Sequence, residues 1–127
     1  MILWVDDVRE PPNDKEYSWA FSVNQATQRI EMYEHQLETL TKINEVFEEI
    51  CGEPSSLCEF IPRYTIDYID IDHDAGDYVS NGGDYIKILD WLEETGRNYP
   101  IRIHSANPVG VANMRRIIQK NGWTEVK

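Results

Sequence analysis

The sequence predicts a single α/β domain, a five-stranded parallel sheet covered by helices on both faces. Three observations predict it. Short apolar, β-rich runs recur along the chain, stretches with apolar residues every three or four positions separate them, and 127 residues suit one domain with one core. Strands that alternate with helices build parallel sheets, because a parallel partner is reached only through a long crossover.

The first strand is "ILWVD" (2–6), a buried central run ending in acid. "REPPND" (9–14) breaks it, and its adjacent prolines exclude a helix, so a loop or a single turn leads to a second strand, "SWAFS" (18–22). Ser22 is placed as an N-cap. After it, Ala26, Ile30, Tyr33, Leu37, Leu40, Ile43, Phe47 and Ile50 recur at helical spacing over 23–51, as one long helix or two. Gly52 and Pro54 end that stretch, and 52–63 is a loop. The third strand, "YTIDYIDID" (64–72), runs into an acidic cluster, "SNGG", and an amphipathic helix over 84–95 with Asp84 near its start and Gly96 after its end. "YPIRIHS" (99–105) is the fourth strand. A helix over 107–122 opens on Asn107 and Pro108 and closes on Asn121 and Gly122, and "WTEVK" (123–127) supplies the fifth strand.

Composition narrows the function. With 41% hydrophobic and 11% aromatic residues the chain can build a core, which excludes disorder as a whole. Trp4, Trp19, Trp91 and Trp123 fall in strands or an amphipathic helix and read as core. A net charge of −11 excludes stable binding to duplex nucleic acid or to an anionic membrane surface, since the phosphate backbone is held by Lys and Arg. Any phosphate-bearing ligand therefore needs local positive charge. Cys51 and Cys58 lack zinc-type spacing and read as free thiols. "MILWVDDVRE" has neither a basic nor an apolar leader, and no run of about 18 apolar residues occurs, so the expected location is the cytoplasm.

In an open parallel sheet, ligands bind beyond the carboxyl ends of the strands. The polar residues fall there. Asp6 and Asp7 end an apolar run where two adjacent carboxylates raise each other's pKa unless a cation sits between them, so a divalent metal is the natural resolution. Arg9 can neutralise an acid or hold a phosphate through its planar fork. Asp70 and Asp72 alternate with Ile69 and Ile71 and point to one face. Asp72, at the strand end, is a candidate ligand or nucleophile, whereas Asp70 is left between supporting a ligand and standing at an edge. His73, flanked by Asp72 and Asp74, suits proton transfer near neutral pH. His104 ends the fourth strand beside Ser105 and Asn107, while Asn113, Arg115 and Arg116 lie on the helix that follows. Two imidazoles across one crevice suit acid and base work on a P–O bond.

The segments "LWVDDVREPP", "IDIDHDAGD", "GGDYIKILDWL" and "IHSANPVGVANM" together resemble the receiver-like family of cyclic-phosphate processing receiver domains. The resemblance implies a receiver-like sheet of order 2-1-3-4-5, with a helical insertion between strands two and three. It puts Asp6 and Asp7 where receivers keep metal-binding acids, Asp72 at the phosphoaccepting position and Ser105 at the strand-four hydroxyl. A signalling receiver ends its fifth strand with a lysine on the acids, where "GWTEVK" offers only Lys127. His73 and His104 belong to the variant family.

The expectation is a metal-assisted phosphoesterase. Mg or Mn sits on Asp6, Asp7, Asp72 and Asp74, and His73, His104, Asp72 and Ser105 carry the chemistry. Arg9, Asn107, Asn113 and Arg115 bind a small cyclic phosphate, on a nucleotide or an RNA end. Two other readings stay open at this point: a phosphoacceptor switch on Asp72, and a non-catalytic nucleotide-binding module.

Overall fold

Strand register sorts the sheet into two unlike faces. The computed structural model describes residues 1–127, in which β1 (Ile2–Val5), β2 (Tyr17–Ala20), β3 (Tyr68–Ile71) and β4 (Ile101–Ile103) pair in parallel in the order β2-β1-β3-β4. Leu3 aligns with Ser18 and Ile69, and Ile69 with Ile101; Trp4 aligns with Trp19 and Asp70, and Asp70 with Arg102. Side chains alternate along a strand. Leu3, Val5, Ala20, Ile69, Ile71 and Ile101 therefore share one face, and Trp4, Tyr17, Trp19, Tyr68, Asp70 and Arg102 share the other.

The apolar face takes all the helices. Val23, Ala26 and Ile30 of α1 (Val23–Cys51) join Ile88, Leu89 and Leu92 of α3 (Ile86–Glu94) and Met114 and Ile118 of α4 (Pro108–Asn121) in one buried cluster with those strand residues. Each such side chain contributes roughly 1.5–3 kcal/mol when buried. The expected third layer is absent. Right-handed connections that step in opposite directions across a sheet lie on opposite faces. The β1-to-β2 step alone serves the second face, and there Pro11 and Pro12 leave a loop in place of a helix.

Other boundaries differ from expectation for local reasons. The fifth strand is reduced to one bridge between Ile101 and Glu125, with Ile101 N donating to Thr124 O at 2.9 Å and Val126 N to Ile101 O at 2.7 Å. The sheet thus has four strands rather than five. β3 starts at Tyr68 rather than residue 64, because Ser56–Phe60 form a 3-10 turn and Ile61–Tyr64 a short helix, α2, with Ser55 capping the turn. β2 stops at Ala20, since Ser22 turns out of the strand and its hydroxyl accepts from Gln25 N at 3.1 Å.

The stretch from 23 to 51 is one helix of 29 residues, about 43 Å long, closed by Gly52 at φ 76°. Its outer half passes beyond the sheet, where Ile43, Val46, Phe47 and Ile50 are exposed, Ile50 by 78%. The 3-10 turn folds back on it through Asn44, whose Oδ1 accepts from Ser55 N and Cys58 Sγ. Cys51 and Cys58 are free, and no helix is long and apolar enough to cross a membrane.

Candidate functional site

Because β1 and β3 are neighbours, the acids that follow them meet. One oxygen each from Asp6, Asp7 and Asp72 lies within 4.8 Å of the others. The turn after β1 is made by Asp6 itself, whose Oδ1 accepts from Val8 N at 3.0 Å and Arg9 N at 2.8 Å. Asp72 is fixed by its amide on Val5 O at 2.9 Å and by its Oδ1, which accepts from His73 N at 2.8 Å. Asp7 packs on Gly76, at φ 55°, where a β-carbon would overlap its carboxylate.

The charges of the three acids are unequal. Burial opposes ionisation of Asp6, but the amides of Arg9 and Val8 and the His104 ring outweigh it and hold the carboxyl below its usual range. Burial pushes Asp7 up, and the charges of Asp6 and Asp72 push it further. Tyr85 is also raised, first by burial and then by the same three acids. Carboxylate oxygens crowded this closely suit a hard divalent cation, which would reverse the cause of the strain on Asp7. Asp74, expected as a further ligand, stands outside this group. Its carboxylate bonds His73 Nδ1 at 2.8 Å instead.

The two histidines occupy different settings. His104 is buried, 6% exposed, with Nε2 on Asp6 Oδ2 at 2.9 Å and Nδ1 on Asp70 Oδ1 at 2.6 Å. Its ring stacks on Trp4, with centroids 3.9 Å apart and planes 6° from parallel. Asp70 also accepts from Arg102 Nη1 at 3.0 Å. Both ring nitrogens of His104 are thus engaged by carboxylates. His73 is free at Nε2, since its hydrogen bonds go through Nδ1, to Asp74 and, at 3.5 Å, to Asn107 Nδ2. Its ring lies against Gly110, where a β-carbon would overlap it.

Asn107 caps α4, its Oδ1 accepting from Gly110 N at 3.0 Å, and Ser105 Oγ accepts from Asn107 N at 3.2 Å. That amide is thus taken by the cap. Arg9 enters the site through its backbone, and its exposed guanidinium has no partner. Two of the expected ligand-binding residues point elsewhere. Arg115 is committed to Glu125, with Nε 3.0 Å from both carboxylate oxygens, and Asn113 accepts from Arg116 Nη1 at 2.8 Å. The sequence reading takes Trp4 as core and passes over Arg102, although the alternation in "LWVD" and "RIH" puts them on the faces of Asp6 and His104.

The chain matches the model of the cyclic-phosphate processing receiver domain over residues 1–120. No curated protein matches it, and no solved structure does.

Proposed function

The chain belongs to the family of cyclic-phosphate processing receiver domains, and on that premise we propose that it is a divalent-metal phosphoesterase opening the cyclic phosphate of a nucleotide or RNA end. The observation that supports this reading is the trio Asp6, Asp7 and Asp72, whose oxygens lie within 4.8 Å of one another beside a histidine with a free nitrogen. Mg or Mn held by that trio would supply the positive charge that polarises a phosphoryl oxygen and that the acidic surface lacks.

The chain's own residues divide the remaining work. Asp74 accepts from Nδ1–H of His73, which leaves Nε2 with the lone pair. That nitrogen takes a proton from the attacking water. The new P–O bond forms, one ring P–O bond breaks, and the proton leaves on the freed hydroxyl. Gly110 packs against the imidazole from the side of α4. The phosphoacceptor alternative needs a lysine on the acids, but Lys127 is exposed and pairs with Glu125 at 3.6 Å.

The test is purified protein with Mg or Mn, given 2′,3′-cyclic nucleotides and, separately, acetyl phosphate. Monoester should form from the cyclic nucleotide, cease with chelator, and fall at least about 100-fold in His73→Ala, as expected for loss of a proton-transfer group. Reaction with acetyl phosphate alone, leaving an acyl phosphate on Asp72, would sink the esterase. Binding of cyclic nucleotide without turnover would sink it equally.

A further inference from the structure

Asp70, left open by the sequence, is buried and engaged on both sides. It is 2% exposed and its carboxylate joins Arg102 to His104. His104 bridges the two acids, with Nδ1 on Asp70 Oδ1 at 2.6 Å and Nε2 on Asp6 Oδ2 at 2.9 Å. Arg102, Asp70, His104 and Asp6 thus form one continuous chain of contacts. Trp4 lies flat on the imidazole and prevents its rotation.

At the far end, Asp6 has about four acceptor positions on its carboxylate. Val8 N, Arg9 N and His104 Nε2 take three, leaving one for a cation. Its orientation is thus decided by the relay on one side and the turn on the other. Stability alone does not account for such a chain, because buried ion pairs are on average no better than apolar packing of the same volume. We infer that Asp70 is a positioning residue that acts through His104 to aim the Asp6 carboxylate at the metal, with Trp4 and Arg102 holding the relay in place. This rests on the reading that Asp6, Asp7 and Asp72 bind a divalent cation.

Calorimetric titration of Mn into the full chain tests it without any substrate. Asp70→Asn and His104→Phe should each weaken Mn binding about 10- to 100-fold, the usual effect of removing a group that orients a ligand. The double variant should bind no more weakly than His104→Phe, because Asp70 has no route to Asp6 once the ring nitrogens are gone. Lys42→Ala, exposed on α1 and paired only with Glu38, should bind as the wild type does. His104→Gln replaces His104→Phe in the cycle should circular dichroism show the latter unfolded. Wild-type affinity in Asp70→Asn, or losses that add in the double variant, overturns the relay while the metal site stands. Failure of the wild type to take up Mn overturns both.

Discussion

At the scale of single residues, the site depends on two glycines as much as on its acids. Gly76 combines a left-handed backbone with direct contact on Asp7. Gly76→Ala should cost roughly 1–3 kcal/mol of stability in urea denaturation and weaken Mn binding, because the added methyl displaces the Asp7 carboxylate. Loss of stability with undiminished Mn affinity would show that Asp7 is not a ligand. Asp6, Asp7 and Asp72 were legible in the sequence because acids at the ends of apolar runs are costly and the carboxyl ends of parallel strands lie together. Trp4 was not. Read alone, a tryptophan in a strand is core, and only the register that aligns Trp4, Asp70 and Arg102 reveals a face built around the His104 ring.

Among the elements, α1 shows how far periodicity carries. The same three-and-four spacing continues from Ala26 to Ile50, yet only Val23, Ala26 and Ile30 are buried. Period measures the helix and says nothing of where its support ends. A strand of four residues spans about 13 Å, so most of a helix three times that length must leave the sheet. Val46→Asp and Ile50→Asp, on exposed positions, should therefore change unfolding free energy by less than about 0.5 kcal/mol. Ile30→Ala, in the core, should cost about 2–5 kcal/mol. Urea titration compares the three, and a large loss in the aspartate variants would mean that the outer half packs on something. The fifth strand failed for a related reason, since β4 is three residues long and offers the terminal segment a single bridge.

At the scale of the whole molecule, the fold has one layer of helices on one face of the sheet and a loop on the other. The rule that parallel sheets are covered on both faces assumes a helix in every crossover, and the two prolines of the first connection had already removed one. With a net charge of −11 the molecule repels phosphate until a cation arrives. Mn at a hundredfold excess over its dissociation constant should stabilise the fold by about 2.7 kcal/mol. A rise in melting temperature that vanishes in Asp72→Asn would confirm the linkage, and an equal rise in that variant would place the ion elsewhere. The loop after β1 has a further consequence. Trp19 Nε1 donates to Asp6 O at 2.8 Å and Trp4 Nε1 to Arg9 O at 2.7 Å, while Trp4 lies on an imidazole that also touches Asp6. Indole emission responds to hydrogen bonding and to quenching by a stacked imidazole, so Mn binding at the proposed site should register as a change in tryptophan fluorescence, an indicator dye supplied by the chain itself.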